Sequence, residues 1–564
     1  MVMKIRLEQL NPTVGDLEGN KKLIIDALRK AEKDGIELLI LPEMVVTGYP
    51  VQDLLEKPSF RDRCYKINEE IVNTVGATAL LFGSITQNNS FGRPCFNSAI
   101  LTKNGKIAGV TNKTLLPTYD IFDDFRYFEP NTDFQCLEIN GVKLGVTICE
   151  DIWYNENEVQ YHTYEIDPAA EMKKAGADCI INISASPYTK SKHESRMEML
   201  KNHARELQLP VFYSNQVGAH TDIIFDGDSA AIGSDAEIVS GTQSFKPSFT
   251  DIEFDSKTDE VSAIHKSGPV SYPGKMERQF RAIELGIKDY LQKTGITDRV
   301  VLGLSGGIDS ALVCTLAAEI LGPEKVTAIT MPSHFSSQGS VTDSEKLAQN
   351  LGIELINMAV PDIYEQFQET LKPVFKGTSF GVAEENLQSR IRGTLLMAYA
   401  NKHGNFLLAT GNKSEYAVGY ATLYGDMNGA LAIIGDLYKT EVFEMAEWFN
   451  REYFEKEIIP VSVINKPPSA ELRPDQKDSD SLPDYMVLDD ILYRYIELQE
   501  SAHAIVNAGF DAQTVNKVIK LVDYNEFKRY QAAPILKLCS KSFGIGRRWP
   551  LVQNWTHNEN RKTT

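Results

Sequence analysis

The sequence predicts two α/β domains, one around a mixed β-sheet and one around a doubly wound parallel sheet. Three observations support this fold class. The chain has 564 residues, more than one hydrophobic core usually organises. Its first half alternates short apolar runs with helical stretches and a hairpin, whereas its second half repeats strand–helix–strand units. Between the two halves, residues 241–275 are rich in Ser, Thr, Asp, Pro and Gly.

This change of composition sets the predicted domain boundaries. We expect a first domain over residues 1–265, a linker over 266–275 and a second domain over 276–564. A helix is predicted to open the second domain, because apolar residues recur there at helical spacing. These residues are Phe280, Ile283, Ile287, Tyr290 and Leu291.

Net charge and apolar patterning exclude some classes of partner. The net charge is −19, which argues against broad nucleic-acid binding because that needs a basic surface. No run approaches the 18 or so apolar residues of a membrane span, and the first residues alternate like a strand rather than a signal peptide. The seven cysteines form no C-x-x-C pair, so a zinc or redox dithiol site is not expected. We therefore expect a cytoplasmic protein with small-molecule substrates.

Apolar runs mark the strands of the first domain. They lie at residues 38–41, 79–83, 142–148 and 179–183. Residues 97–111 predict a β-hairpin that turns at Asn104-Gly105, a dipeptide that favours the tight turn between antiparallel strands.

Three chemically useful residues follow predicted strands of this domain. Glu43, Lys113 and Cys149 each come directly after a strand, and strand ends along one sheet edge are where α/β folds gather catalytic groups. A thiolate suits attack on an amide, and a carboxylate can act as its base. An ammonium can stabilise the oxyanion that forms. The set therefore predicts an amidase, although each residue alone is more often structural.

The motifs around these residues resemble the nitrilase superfamily over about the first 260 residues. They are Leu41-Pro42-Glu43 with Thr47-Gly48-Tyr49-Pro50, Lys113 with Leu116-Pro117, and Cys149-Glu150-Asp151-Ile152-Trp153. The resemblance implies an α-β-β-α sandwich in which Glu43, Lys113 and Cys149 form the catalytic triad.

The glutaminase branch of that superfamily is the most similar. This resemblance implies a glutamine site formed by Tyr119, Glu150, Ser186 and Lys192. Two departures stand out. Asp124 occupies a position where the branch usually has Glu, which puts its reach in question, and residues 218–222 read Gly-Ala-His-Thr-Asp instead of the more typical Gly-Gly-Gln-Asp-Glu.

The second domain begins with the rhythm of a parallel sheet. Strands are predicted at residues 300–304 and 326–331, and helices at 310–321 and 342–351. The first strand runs into Ser305-Gly306-Gly307-Ile308-Asp309-Ser310, where two glycines let the backbone approach a phosphate. Backbone N–H groups at the start of the following helix then favour an anion.

This loop is not a Walker A motif, because no Gly-Lys-Ser/Thr follows. It resembles the pyrophosphate loop of enzymes that cleave ATP to AMP and pyrophosphate. This resemblance implies that the second domain has a fold similar to that of the adenine nucleotide alpha hydrolases. The resemblance implies ATP binding by Gly303, Leu304, Ser305, Gly306, Gly307, Ile308, Asp309 and Ser310.

Further motifs lie within residues 276–550, among them Met331-Pro332-Ser333, Glu385-Asn386-Leu387-Gln388-Ser389-Arg390-Ile391-Arg392 and Ala409-Thr410-Gly411-Asn412-Lys413-Ser414-Glu415. These motifs resemble the NAD synthetase family. The resemblance implies four more ATP-binding residues, namely Met331, Arg390, Thr410 and Lys439. It also implies contacts to deamido-NAD from Asn386, Glu415 and Lys528. Asp309 and Glu415 are candidate Mg²⁺ ligands, since Mg²⁺ prefers hard oxygen donors.

Together the halves predict an amidotransferase that amidates an adenylated acid with ammonia from glutamine. The resemblances imply deamido-NAD as the acid, NAD, AMP, pyrophosphate and glutamate as products, and a homo-oligomer, often an octamer in the family. Because free ammonia would be protonated and lost in water, we expect an enclosed passage between the sites. Two alternatives stay open: an ATP-pyrophosphatase amidotransferase that activates another acid, and a non-catalytic regulatory protein on the same scaffold.

Overall fold

The structure, a computed structural model, describes residues 2–154, 164–264, 272–473, 476–553 and 555. It divides into two compact units, residues 1–289 and 290–564. Residues 266–271 of the expected linker lie outside the described residues, so the domain boundaries at 265 and 276 stay predictions. Among the described helices, none combines the length and apolar character that crossing a membrane requires.

The first unit contains two large sheets and a separate hairpin. One sheet has seven strands in the order β15-β14-β1-β2-β3-β4-β5, the other has six in the order β13-β12-β9-β8-β7-β6, and β10 pairs with β11. The strands are β1 (Val2–Gln9), β2 (Leu38–Ile40), β3 (Ala79–Gln87), β4 (Cys95–Lys103), β5 (Lys106–Asn112), β6 (Leu137–Ile139), β7 (Val142–Ile148), β8 (Cys179–Ser184), β9 (Val211–Asn215), β10 (Val217–His220), β11 (Ile223–Asp226), β12 (Ala230–Ile232), β13 (Ile238–Gly241), β14 (Ser248–Asp255) and β15 (Glu260–Ala263).

Both sheets are mixed, as the sequence predicts. Strands β1, β2 and β3 pair in parallel, as do β7, β8 and β9, while the outer strands pair antiparallel. The predicted hairpin is confirmed: Lys103 pairs with Lys106 across the turn. Its two turn residues, Asn104 and Gly105, have φ of 52° and 70°, the left-handed backbone that this turn requires.

Helices cover the outer faces of the two sheets. They are α1 (Leu17–Lys33), α2 (Pro58–Thr74), α4 (Pro168–Lys174) and α5 (Lys192–Leu207). The short helix α3 (Asp124–Tyr127) and the part of α6 (Lys275–Thr294) up to residue 289 also belong to this unit. Leu7 on β1 packs with Ile148 on β7 and Ile181 on β8 in a core between the sheets. Separate apolar clusters lie under α1 and α2 and under α4 and α5. The predicted α-β-β-α sandwich is confirmed.

The second unit is built on five parallel strands in the order β18-β17-β16-β19-β20. The strands are β16 (Val300–Gly303), β17 (Val326–Thr330), β18 (Glu354–Asn357), β19 (Phe406–Ala409) and β20 (Leu431–Ala432). The helices are α7 (Ile308–Leu321), α8 (Gln338–Leu351), α9 (Pro361–Leu371), α10 (Val382–His403), α11 (Lys413–Val418), α12 (Lys439–Trp448), α13 (Val461–Asn465), α14 (Tyr485–Ile496), α15 (Ala502–Asn507), α16 (Ala512–Tyr524) and α17 (Glu526–Arg529).

This order confirms the predicted doubly wound parallel sheet. Chain order reverses between β16 and β19, and in such sheets ligands bind at the carboxyl ends of the strands beside that reversal. Helix α8 begins four residues before its predicted start, because the Ser337 side chain accepts a hydrogen bond from the Ser340 N–H and caps the helix there.

A buried ionic cluster fastens the first turns of α6 within the first unit. Arg278 on α6 donates to Asp226 and Asp228, each at 2.8 Å. Arg196 on α5 donates to Asp226 at 2.8 Å, and His193 contacts Asp228 at 2.8 Å. All five side chains are nearly inaccessible to solvent. Each cation therefore compensates a buried carboxylate.

Removal of one cation from this cluster is expected to destabilise the first unit. We predict that Arg278→Met lowers the free energy of unfolding by about 3–5 kcal/mol, because two buried carboxylates, Asp226 and Asp228, are then left with a single arginine, Arg196. Urea denaturation of the variant beside the natural protein measures this change.

Arg281→Met on the same helix is the matched control. Arg281 pairs with Glu277 and Glu284 at a partly exposed surface, where an ion pair contributes at most about 1 kcal/mol. Equal destabilisation by the two substitutions would contradict the structural role given to the cluster.

Candidate active sites

The three predicted amidase residues meet in the interior of the first unit. Glu43 follows β2, Lys113 follows β5, and Cys149 follows β7 and opens a short 3-10 turn, Cys149–Ile152. Their exposed fractions are 0%, 1% and 5%. Strand ends from both sheets thus supply a carboxylate, an ammonium and a thiol that water scarcely reaches.

Both oxygens of the Glu43 carboxylate are engaged. Lys113 Nζ donates to Oε1 at 2.9 Å, and Asn97 Nδ2 donates to the same oxygen at 2.7 Å. The backbone N–H of Ala185 donates to Oε2 at 2.7 Å. These donors come from three different segments, so they fix the direction in which Glu43 points. The motifs did not indicate Asn97, which lies in mid-strand.

A second carboxylate holds Lys113. Its Nζ donates to Asp124 Oδ2 at 2.7 Å, and the Tyr49 hydroxyl donates to Asp124 Oδ1 at 3.0 Å. The shorter Asp124 therefore still reaches Lys113. Burial lowers the pKa of Lys113, but Asp124 and Glu43 raise it by more, so that pKa stands well above its usual value. Lys113 is a permanent cation at neutral pH.

Cys149 occupies a strained turn. Its φ is 46°, a left-handed conformation that costs a residue with a side chain about 1–2 kcal/mol. Burial, and then the nearby charge of Glu43, raise the pKa of the Cys149 thiol. The resting thiol is therefore protonated, and a base must take its proton before it can attack.

Asp151 ties the cysteine turn to the segment that carries Lys113. Its carboxylate accepts hydrogen bonds from the backbone N–H groups of Thr114 and Leu115, at 3.0 and 2.7 Å. It also accepts one from Ile148 at 3.0 Å. Burial raises the pKa of Asp151 to about 7. The sequence showed Asp151 as part of a motif without indicating this bridging role.

The predicted glutamine residues lie beside this triad. The Tyr119 hydroxyl is 2.9 Å from both oxygens of Glu150, which is 5% exposed. Lys192 Nζ lies 4.7 Å from the centre of the Trp153 ring. Burial raises the pKa of Glu150, whereas the charges of Lys113 and Lys192 lower it, so both ammonium groups lie within electrostatic range of this carboxylate.

Ser186 is placed by the amide of a neighbouring strand. Asn215 Oδ1 accepts from the Ser186 N–H at 2.8 Å, and Asn215 Nδ2 donates to the Ser186 carbonyl. The atypical segment 218–222 continues from there as the β10–β11 hairpin, with its turn at Thr221, where φ is 58°.

In the second unit, the glycine-rich loop lies between β16 and α7 as predicted. Gly306 has φ of 80°, and a Cβ there would lie 2.4 Å from the Ser340 carbonyl oxygen. Glycine is thus required both by the backbone conformation and by the close approach of α8. Ser310 Oγ receives a hydrogen bond from the Ser305 N–H at 3.2 Å.

The loop opens into a pocket at the carboxyl ends of the strands. Most of the residues predicted to bind ATP or metal line it, namely Gly303, Leu304, Ser305, Gly307, Ile308, Asp309, Ser310, Met331, Thr410, Glu415 and Lys439. This is the edge at which the strand order reverses, so chain topology itself assembles these residues.

Lys439 lies between two carboxylates of that pocket. Its Nζ is 2.5 Å from Asp309 Oδ2 and 3.1 Å from Glu415 Oε1. Asn412 Nδ2 donates to Asp309 Oδ1 at 2.8 Å, a contact that the sequence did not indicate. Burial raises the pKa of Glu415 to about 8, with Asp309 adding to the rise and Lys439 opposing it.

Three predicted binding residues gather around segment 419–423. Asn386 accepts from the Thr422 hydroxyl at 2.9 Å, and Arg390 Nε donates to the Leu423 carbonyl at 3.2 Å. Lys528 Nζ donates to the carbonyls of residues 419 and 421 at 2.7 and 2.8 Å. Within the described part of the chain, these three do not line the pocket, although residues 420 and 421 do.

The pocket also contains residues to which no motif gave a role. Arg392 Nε donates to the Met331 carbonyl at 3.0 Å, and Lys466 pairs with Glu471 at 2.8 Å. Asp478 accepts from the Tyr485 hydroxyl at 2.8 Å. Lys466, Glu471 and Asp478 come from a loop rich in Pro, Asp and Ser. The composition of this loop predicts irregular structure and does not indicate a binding site.

Known proteins share both halves of this chain. The carbon-nitrogen hydrolase model matches residues 4–260, and the NAD synthase model matches residues 279–532. A glutamine-dependent NAD(+) synthetase of Synechocystis sp. is 44% identical over 555 residues, which are 97% of this chain and 98% of the relative. The enzyme of the same name from Acinetobacter baylyi is 41% identical over 552 residues, 98% of both chains.

A solved structure agrees with these relatives. The glutamine-dependent NAD+ synthetase of Acinetobacter baumannii, in complex with ADP, is 38% identical, with a TM-score of 0.77 over 99% of this chain and 100% of that one. Identity above 40% along nearly the whole length shows common ancestry of both units. The chain belongs to the family of glutamine-dependent NAD(+) synthetases.

Proposed function

We propose that this protein amidates deamido-NAD to NAD, with glutamine as the nitrogen donor and ATP as the activating substrate. The observation that carries the proposal is that one chain holds two complete polar sites. In the first unit Lys113 bridges Glu43 and Asp124 beside Cys149, and in the second Lys439 bridges Asp309 and Glu415 beside a glycine-rich loop. The first set suits amide hydrolysis and the second suits phosphate chemistry.

Glutamine binds with its α-ammonium on Glu150 and its α-carboxylate on Ser186 and Lys192. The ammonium of the substrate then faces a carboxylate, and its carboxylate faces an ammonium and a hydroxyl group. Tyr119 supports this arrangement, since its hydroxyl contacts Glu150. The side-chain amide is thereby directed towards the Cys149 thiol.

Glu43 acts as the general base of the hydrolytic reaction. It takes the Cys149 proton as sulfur attacks the amide carbon, and Lys113 stabilises the oxyanion. Collapse of this intermediate breaks the C–N bond, Glu43 returns the proton to the departing ammonia, and a thioester remains. Water activated by Glu43 then releases glutamate. Asp124 keeps Lys113 cationic and in place throughout.

The second unit activates the acid. A carboxylate oxygen of deamido-NAD attacks the α-phosphorus of ATP, pyrophosphate leaves, and an adenylate forms. Ammonia then attacks the acyl carbon and AMP departs, which leaves NAD. Backbone N–H groups of the loop at Gly306 and Gly307 and the Lys439 ammonium stabilise the phosphate charges. Adenine lies near Met331, ATP also contacts Thr410 and Arg390, and the dinucleotide contacts Asn386, Glu415 and Lys528.

Mg²⁺ fits the carboxylates of this pocket. Asp309 and Glu415 supply hard oxygen donors, and both contact the same ammonium group, so one cation can be shared by the two. When bound, Mg²⁺ neutralises phosphate charge and orients the pyrophosphate as a leaving group. Lys439 remains the protein's own cation at the phosphates.

The proposal extends to assembly and location. Ammonia passes between the sites through an enclosed passage, because water would protonate it. The protein works as a homo-oligomer, with the octamer as one form, in the cytoplasm. Its glutaminase domain covers residues 1–265 and its synthetase domain residues 276–564, joined by the linker 266–275.

Cys149→Ala is expected to separate the two nitrogen donors. Glutamine-dependent NAD formation should fall by about 10³-fold or more, because the nucleophile is lost. Ammonium-dependent NAD formation should remain, because the second unit is unchanged. NAD formation from deamido-NAD, ATP and Mg²⁺ with each donor measures both rates. Loss of both activities in a folded variant would contradict the proposed division of labour.

Glu415→Gln is the reciprocal test. We expect ammonium-dependent NAD formation to fall by about 10²-fold, because a proposed ligand of Mg²⁺ and contact of the dinucleotide is lost. Glutamate release at Cys149 should persist. If instead the natural protein releases glutamate but forms no NAD with either donor, the acceptor is another acid.

Chelation of divalent cations should also distinguish the two sites. We expect excess EDTA to abolish ATP-dependent NAD formation, and added Mg²⁺ to restore it, because the pocket carboxylates and phosphates need a counter-cation. Glutamate release alone should continue, since the first site needs only its own side chains. NAD formation at full rate in EDTA would exclude the metal role.

A further inference from the structure

A second tyrosine holds the carboxylate that receives the substrate ammonium. The Tyr164 hydroxyl donates to Glu150 Oε1 at 2.8 Å. Tyr119 approaches Glu150 as well, at 2.9 Å from each oxygen. Tyr119 precedes Glu150 by 31 residues and Tyr164 follows it by 14. The sequence motifs indicated Tyr119 and gave no signal for Tyr164.

The Tyr164 hydroxyl supplies a hydrogen bond to Glu150 that Tyr119 alone cannot supply. Each tyrosine has one proton to donate, whereas a carboxylate can accept about four hydrogen bonds. Because Tyr164 occupies one position on Oε1, the Tyr119 proton can serve Oε2. The carboxylate is then held at both oxygens and still has lone pairs for an ammonium group.

Electrostatics favour the same conclusion. Glu150 is buried, and burial raises the pKa of its carboxyl group and so favours the neutral acid. The hydrogen bond from Tyr164 opposes that rise, followed by the charges of Lys113 and Lys192 and then by Tyr119. The Tyr164 hydroxyl thus helps Glu150 to keep the negative charge that an ammonium needs.

We propose that Tyr164 is a positioning residue for glutamine recognition, because its hydroxyl holds Glu150 in the orientation and charge state that receive the α-ammonium of the substrate. This inference rests on the proposed function of the first unit. Its ligand class is an amide that carries an α-ammonium group, and Tyr164 acts on it through Glu150.

The test is Tyr164→Phe, which keeps the ring and removes only the hydroxyl. The KM for glutamine should rise about tenfold, since one charge-assisted hydrogen bond is lost, while kcat with glutamine and NAD formation from ammonium stay within about twofold of the natural protein. The preference for glutamine over glutaric acid monoamide, which lacks the α-ammonium, should fall by the same factor.

A pH profile separates positioning from a merely structural role. Without the Tyr164 hydroxyl the pKa of Glu150 rises further. The rise of KM for glutamine on acidification should therefore begin at a higher pH in the variant than in the natural protein. Packing damage alone would not shift this profile or change the preference between the two amides.

Tyr127→Phe is the matched control, because the Tyr127 hydroxyl also donates to a carboxylate, Asp53, in an exposed setting of the same unit. It should leave the KM for glutamine unchanged. An unchanged KM and amide preference in Tyr164→Phe, or equal losses with glutamine and ammonium, would overturn the inference.

Glu150→Gln distinguishes a failure of the inference about Tyr164 from a failure of the proposed glutamine site. If it raises the KM for glutamine and Tyr164→Phe does not, the proposed function stands and the inference fails. If Glu150→Gln itself leaves that KM unchanged, the proposed glutamine site is wrong and the inference falls with it.

Discussion

The Lys113 ammonium is buried between Glu43 and Asp124, and the geometry of the first site depends on that ionic contact. A buried ammonium without partners would be strongly destabilising. Two carboxylates at 2.9 and 2.7 Å compensate it. Ala185 and Tyr49 satisfy their remaining oxygens, and Asn97 donates a second hydrogen bond to Glu43 Oε1. The same contacts fix the base and the oxyanion donor of the proposed hydrolysis. Stability of this interior and its chemistry therefore share one set of hydrogen bonds.

The backbone conformation of its turn, and not an ion pair, positions the Cys149 thiol beside this network. Cys149 has φ of 46°, and the turn that imposes it is fastened by Asp151, whose carboxylate accepts three backbone N–H groups. Because Asp151 bonds both Ile148 and the segment after Lys113, the thiol and the ammonium are kept at a fixed separation. A protonated resting thiol also explains why a neighbouring base is needed.

The second site also holds a lysine between two carboxylates, although its fold is different. Lys439 is shared by Asp309 and Glu415, which come from the segments after β16 and β19. These strands are neighbours at the reversal of strand order, so their carboxyl ends form one crevice. Gly306 allows α8 to approach the loop and closes one side of that crevice. Asp309, Glu415 and Lys439 therefore lie where the phosphates and a cation are proposed to bind.

The sequence by itself determined much of this protein. Short apolar runs, the Asn104-Gly105 turn and the strand–loop–helix pattern at residues 300–321 predicted the sheets of both units, because backbone preference and the burial pattern of a strand depend on neighbouring residues in the sequence. Motif resemblance further indicated Glu43, Lys113 and Cys149. These features need no knowledge of distant contacts.

Only the tertiary structure decided which distant side chains complete the sites. Asn97 in mid-strand, Asp478 and Tyr164 carry no local pattern that marks them as functional, and the motif that contains Asn412 gave that residue no role. Whether the shorter Asp124 could reach Lys113 was also open until the path of the chain around α3 placed it at 2.7 Å. The physical reason is that hydrogen bonds depend on distances of a few tenths of an ångström between segments far apart in the chain, and these distances are set by how the whole sandwich packs.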